Sequence, residues 1–375
     1  MSAPAGRPLI VLTGFLGSGK TTLLNRWLRD PALAGTAVLI NEFGEIGLDH
    51  QLVESLDDAP VLLANGCVCC SIRDDLKTAL LRLEERRLAG EVPDYARVMI
   101  ETTGAADPAP ILATLLCDPE LRHHYHVGGV VTVVDAVNGL RDLSHRAEAR
   151  RQAALADYLL ISKRDLAAAP ALEALEGALR TLNPAATLGE AQRAHWPAIA
   201  ARLADGDVAR RQRLTPAESI VAAHDHQHEH HHGEHFASFT LCFDEAIDWT
   251  AFGVWLSLLL HVHGERVLRV KGLLNVPGSA SPVVVNGVQH LVHPPYHLAR
   301  WPDEDQRSRL VFITEGLARE SVAASLATFT ALGASFRPPA ADSATVTVSP
   351  RAFSCAPTRA AVANNVSRLM AFARG

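Results

Sequence analysis

The sequence predicts an α/β domain on a mostly parallel sheet, followed by a smaller α+β domain. Three observations carry that expectation. Short apolar runs alternate with amphipathic stretches over the first two hundred residues. A glycine-rich loop separates the first such run from the first helical pattern. The alternation then fails between residues 202 and 236, where polar, histidine-rich sequence takes over. Continuous apolar runs mark strands buried on both faces, the condition of a parallel sheet covered by helices. At 375 residues and 48% hydrophobic content, the chain is long enough for two to three domains with packed cores.

The first strand is expected over residues 9–13. Gly14-Phe15-Leu16-Gly17-Ser18-Gly19-Lys20-Thr21 follows and matches G-x-x-x-x-G-K-[ST] in full. A helix over 21–29 comes next, burying Leu23, Leu24, Trp27 and Leu28. Glycines at 14, 17 and 19 let backbone N–H groups turn inward around phosphate oxygens, which a Cβ would obstruct. Lys20 then reaches the β- and γ-phosphates, the Thr21 hydroxyl ligates Mg²⁺, and the helix N-terminus adds positive potential. This is the phosphate loop of a P-loop NTPase domain.

Further strands are expected at 37–40, 61–63, 98–101, 130–134 and 158–162. Helical patterns such as Leu76/Leu80/Leu83 and Leu172/Leu175/Leu179 lie between them. Ligands of such sheets bind at the carboxyl ends of the strands, and the remaining motifs fall there. After 98–101 comes Glu101-Thr102-Thr103-Gly104, a carboxylate placed to hold Mg²⁺ through water and a glycine N–H able to approach a γ-phosphate. After 158–161 comes Ser162-Lys163-Arg164-Asp165, one residue away from [NT]-K-x-D. In that pattern the aspartate accepts two hydrogen bonds from the guanine edge while the lysine stem covers the base. Adenine offers no such pair, so Asp165 would select guanine. Residues 131–136, ending in Asp135-Ala136, read as a core strand with a capping carboxylate rather than a catalytic element.

Two loops lie between these strands. Residues 41–50, from Asn41 and Glu42 to Asp49 and His50, hold three carboxylates, a histidine and two glycines. They suit either a nucleotide-sensing switch or an ordinary acidic loop. Cys67-Val68-Cys69-Cys70 follows the turn signal Asn65-Gly66. Three thiolates suit Zn²⁺ or another soft ion and leave one of four tetrahedral positions open. The same triplet also suits buried small hydrophobes or a redox pair, since Cys117, Cys242 and Cys355 are scattered.

Residues 202–235 form the expected linker, with His224, His226, His228, His230, His231, His232 and His235 able to hold metal loosely. Behind it, residues 237–243, 267–276, 282–292 and 309–314 read as strands. Residues 249–260 and 318–332 read as helices, giving an antiparallel sheet with two helices over residues 236–336. Residues 337–375 form a tail with a short amphipathic stretch at 361–372. The net charge of −6 favours neither nucleic acid nor an anionic membrane. Without an export signal or an apolar run of 18 residues, the expected location is the cytoplasm, where thiols stay reduced.

The motifs GFLGSGKTT, NEFGEIGLD, NGCVCC, IETTGAADP, VTVVDA and SKRD, with the histidine-rich linker after them, occur in an order that resembles the CobW/zinc-regulated GTPase family of metallochaperones. Residues 270–282, 288–295 and 309–317 look like the C-terminal domain of that family. The resemblance spans roughly residues 8–336. It implies a GTPase that binds zinc, or cobalt in relatives, and supplies it to a client metalloprotein. By position it implies that Gly14 to Thr22, including Ser18 and Thr22, cradle the phosphates. Glu101 is then the family's own glutamate, and Lys163 and Asp165 read guanine. Cys67, Cys69 and Cys70 are the metal thiols, with Glu42 as a fourth ligand. The domains are then a GTPase domain over 1–201, the linker, the C-terminal domain and the tail. A small-molecule kinase and a passive zinc store are the competing classes. A kinase would have no use for the thiols, and a store would bind metal equally with and without nucleotide.

Overall fold

Residues 6–41, 62–65, 72–204 and 236–335 are described in the computed structural model. The chain divides into two units, Met1–Asp207 and Val208–Gly375. In the first, β1 (Arg7–Thr13), α1 (Lys20–Leu28), β2 (Thr36–Asn41), β3 (Leu62–Asn65), α2 (Ile72–Leu88) and β4 (Arg97–Glu101) come first. Next are α3 (Ala109–Cys117), α4 (Pro119–His124), β5 (Tyr125–Asp135), α5 (Gly139–His145) and α6 (Ala147–Leu155). Then follow β6 (Tyr158–Ser162), α7 (Ala169–Leu182), β7 (Thr187–Glu190) and α8 (Trp196–Ala204). The seven strands run in the order β3-β2-β4-β1-β5-β6-β7 with every pairing parallel.

Alternate residues of each strand serve opposite faces of this sheet. Ile10, Leu12, Val131, Val133 and Leu160 pack with Leu23, Leu24 and Trp27 of α1 and Trp196 and Ile199 of α8. Leu159 and Ile161 pack with Leu143, Ala153, Leu175 and Leu179 of α5, α6 and α7. The largest departures from expectation in this sheet are at β5 and β7. β5 begins at Tyr125 rather than 130, because its pairing with β1 starts at Arg7↔Tyr125 although Gly128 and Gly129 break the apolar run. β7 was not expected at all, since Thr187-Leu188-Gly189-Glu190 is short and all four residues are only partly buried.

The second unit holds β8 (Phe236–Phe243), α9 (Trp249–His263), β9 (Val267–Leu274), β10 (Val283–Val288), β11 (Leu291–Val292), β12 (Tyr296–His297), β13 (Ser308–Glu315) and α10 (Arg319–Ser335). Its sheet runs β11-β10-β9-β13-β8, with β12 paired to β10 and all pairings antiparallel. Asp248 caps α9 through the Ala251 N–H at 2.7 Å. Phe252, Trp255 and Phe312 centre the core, with Trp255 edge-on to Phe312 at 6.2 Å.

The single strand expected over 282–292 is a hairpin. Val288 pairs with Leu291, and Gln289 between them takes a left-handed φ of 49°. β9 stops at Leu274 rather than 276 because the Asn275 N–H goes to Ser308 Oγ and its carbonyl to the Ile247 N–H. The switch segment 42–49, the linker from residue 205 to 235 and the tail 337–375 lie outside the described residues. Among the described residues no helix is long and apolar enough to cross a membrane.

Candidate functional site

The carboxyl ends of β1, β4, β5 and β6 converge on the glycine-rich loop. Gly14, Gly17 and Gly19 have φ of 147°, 72° and 91°. Their requirements differ. A Cβ on Gly14 would collide with the Val133 carbonyl and lie 2.8 Å from Ser18 Oγ, so close packing demands glycine there. A Cβ on Gly17 would meet nothing within 4 Å, and one on Gly19 only Ser162 at 3.9 Å. At those two positions the backbone conformation demands glycine, and the space beside the loop stays open. Lys20 is buried, and its ammonium donates to Gly14 O at 2.9 Å and Phe15 O at 3.4 Å. Carbonyl partners of that kind can be exchanged for a phosphate oxygen, which binds an ammonium more strongly.

In the first turn of α1, Thr21 Oγ1 donates to Glu101 Oε1 at 2.6 Å. Glu101 is buried at the end of β4, where Leu12 and Ile40 flank it in register. A hydroxyl touching a carboxylate is a pair of hard oxygen donors, which fits Mg²⁺ and not a soft ion. The strand ends are fastened by Thr102, whose N–H donates to Leu12 O at 2.9 Å and whose Oγ1 donates to Thr13 Oγ1 at 2.8 Å. Among the described residues, Ser18 Oγ and Thr103 Oγ1 are buried without a hydrogen-bond partner. Orphan hydroxyls of this sort are costly in a finished interior and natural where a polar ligand completes the site.

Gly104 packs on the loop so tightly that a Cβ would lie 2.7 Å from Leu16 N and Cα. Its carbonyl accepts from Gln152 Nε2 at 3.1 Å, and the same nitrogen donates to Ala106 O at 2.8 Å. Gln152 is wholly buried on α6. Sequence reasoning missed it, and the signal available was a glutamine among the alanines of a helical pattern.

At the other flank, Ser162 Oγ donates to Ser18 O at 2.6 Å, tying β6 to the phosphate loop. A serine in place of asparagine or threonine therefore still reaches the loop. Lys163 has a left-handed φ of 53°, and its ammonium donates to Gly17 O and to Asp135 Oδ2, each at 2.8 Å. Asp135 also accepts from the Val137 N–H at 2.8 Å and from Asn138 Nδ2 at 3.1 Å. Burial pushes its carboxyl up, but the Lys163, Asn138 and Val137 hydrogen bonds outweigh this and hold it below the usual carboxylate range. Asp135 is thus the capping carboxylate expected from sequence, and it anchors Lys163 as well. Asp165 is exposed, and its Oδ1 accepts from Gln192 Nε2 at 3.0 Å.

Cys67, Cys69, Cys70 and Glu42 lie outside the described residues, whereas Thr22 sits in the first turn of α1, next to Thr21. Among the described residues no group of three His, Cys, Asp or Glu side chains could hold a metal ion. The strands leading to the cysteines and to Glu42 are described. β2 and β3 are parallel neighbours with Asn41 level with Asn65, and β2 is level with β4 at Ile40↔Glu101.

Two family profiles match the chain. That of the CobW/HypB/UreG nucleotide-binding domain covers residues 8–189, and that of the cobalamin synthesis protein cobW C-terminal domain covers residues 236–330. The zinc chaperone YjiA of Escherichia coli is 31% identical over 321 residues, which is 84% of this chain and 96% of that protein. The zinc chaperone CobW of a Sinorhizobium species is 32% identical, over 87% of this chain and 97% of that protein. The crystal structure of Zn(II)-bound YjiA GTPase from E. coli superposes with a TM-score of 0.67 at 26% identity, covering 86% of this chain and 99% of that one.

Proposed function

Because the chain belongs to the CobW/HypB/UreG family, we propose that it is a GTP-dependent metallochaperone that binds zinc at Cys67, Cys69 and Cys70 and passes it to a client metalloprotein when GTP is hydrolysed. The observation that carries this reading is the strand register. Asn41, which precedes Glu42 in sequence, and Asn65, two residues before Cys67, end neighbouring parallel strands at one level, beside the strand that ends in Glu101. A change of loop geometry around the γ-phosphate therefore has a short path to the thiols.

In this reading the loop of Gly14, Gly17, Ser18 and Gly19, with Thr22 behind it, wraps the phosphates. Lys20 turns from its carbonyl partners to the β- and γ-phosphate oxygens and neutralises charge as the terminal bond breaks. Thr21 and Glu101 would hold Mg²⁺, which supplies further positive charge to the phosphates when bound. Gly104, pinned against Leu16, sets how near the loop after β4 can come. Lys163 and Asp165 take the base. Water adds to the γ-phosphorus, the β–γ bridging bond breaks, and GDP and phosphate leave. The thiolates and Glu42 hold the zinc cargo, which is soft enough for sulfur and accepts a carboxylate as its remaining ligand.

Nucleotide choice tests this reading. With Mg²⁺ alone, the protein should cleave GTP at about 10⁻⁴–10⁻² s⁻¹, the range of P-loop GTPases without a partner's arginine, and leave ATP intact. Equal cleavage of ATP would overturn the guanine assignment.

A further inference from the structure

The base-reading end contains a contact that the sequence motifs do not cover. Gln192 follows β7, and its Nε2 donates to Asp165 Oδ1 at 3.0 Å. Both side chains are exposed, and an exposed amide–carboxylate bond has little value by itself because water competes for both groups. The backbone beneath Gln192 is nevertheless held firmly. Arg26 of α1 donates to the carbonyls of Ala191, Gln192 and Ala194, the last two at 3.0 and 3.2 Å. Trp27 Nε1 donates to Ala194 O at 2.9 Å, and the Ala191 N–H donates to Ile161 O at 2.8 Å. The loop is therefore fixed to the helix that starts at Lys20 and to the strand that leads into Asp165.

We propose that Gln192 is a specificity-determining positioning residue, which orients the Asp165 carboxylate for the two N–H groups of a guanine edge. The inference rests on the guanine reading of Asp165 and deepens it. A carboxylate on a short exposed turn rotates freely, and two parallel hydrogen bonds to a purine edge require one rotation. One oxygen of Asp165 has lone pairs for both the Gln192 amide and a base N–H, so the two contacts coexist. When a base covers the pair, water is displaced and the amide bond strengthens. The clamp from Arg26 gives the amide a fixed origin, which keeps the ordering cost low.

The test is equilibrium titration of the full chain and of its Gln192→Ala and Gln192→Glu variants with GDP, IDP and ADP. IDP lacks the 2-amino group and makes one Asp165 bond where GDP makes two. Gln192→Ala should weaken GDP by about fivefold, the scale of one hydrogen bond, and IDP less, so that the GDP/IDP preference falls. Gln192→Glu keeps the shape, loses the donor and adds a like charge, so it should weaken GDP at least as much. Unchanged GDP binding in both variants, or equal losses for GDP and IDP, would overturn the proposal. If the unmodified protein binds ADP as tightly as GDP, the guanine reading itself fails whatever the variants do.

Discussion

At the amino end of the parallel sheet, Glu84 of α2 accepts from Arg87 at 2.7 Å, Tyr95 at 2.9 Å and Arg7 at 3.1 Å, while the Tyr95 and Tyr125 hydroxyls meet at 2.7 Å. At the carboxyl end, Lys20 spends its ammonium group on carbonyls of the glycine-rich loop, Lys163 divides its own between Gly17 O and Asp135, and among the described residues Ser18 Oγ and Thr103 Oγ1 lack partners. One network closes on itself across side chains of opposite charge. The other holds, around Lys20, by carbonyl contacts that a phosphate can replace. Polar groups at the two ends of one sheet thus serve stability at one end and, in the proposed function, ligand binding at the other. Fractional burial does not separate them, because Glu84 and Glu101 are each 4% exposed.

The contrast breaks most visibly at Lys20. Lys20→Ala should lower GTP turnover by about 10³-fold, near 4 kcal/mol of transition-state stabilisation, with little change in unfolding midpoint. A large drop in thermal stability with turnover intact would assign Lys20 to the amino-end class. Asp165→Asn comes next, replacing an acceptor with a donor. It should weaken GDP by about 2–4 kcal/mol and favour xanthine nucleotide, as titration of both would report.

Glu84→Gln should do the reverse of Lys20→Ala, lowering stability by about 1–3 kcal/mol and leaving nucleotide affinity unchanged. The Arg87 hydrogen bond, then Tyr95 and Arg7, hold the Glu84 carboxyl down to about 2 against the opposing effect of burial. Its folded value lies below its ordinary value of 4.5. Its contribution is therefore full above that pH and is lost as pH falls towards about 2. Denaturant midpoints of the two proteins should converge between those limits. A gap that persists at the acid end would show that lost packing, not charge, is what the substitution removes.

Much of the glycine-rich end of the sheet was legible in sequence because its motifs are local in the chain. Eight consecutive residues, Gly14 to Thr21, specify the glycine-rich loop, and Ser162 to Asp165 are four more. The strands were legible where apolar runs were continuous and failed where they were not, as at Gly128 and Gly129 in β5 and in short, half-exposed β7. The partners that position the site were illegible, since Gln152, Gln192 and Arg26 act across 27 or more residues of sequence. A side chain's reach across the fold leaves no periodicity to read. Likewise nothing in the run 282–292 announced that Gln289 would turn left-handed and split it in two.

A hydrolysis-gated metal transfer requires that nucleotide binding be coupled to metal binding at the cysteines. Linkage requires that, if GTP tightens zinc binding, zinc tightens GTP binding by the same factor. The direct measurement is zinc competition titration of the full chain with no nucleotide, with GDP and with a non-hydrolysable GTP analogue. Zinc affinity should rise by about 5- to 150-fold in the GTP-analogue state relative to GDP, the range of 1–3 kcal/mol common to such couplings. Equal affinity in all three states would contradict a hydrolysis-gated transfer and leave a passive zinc store with an uncoupled GTPase.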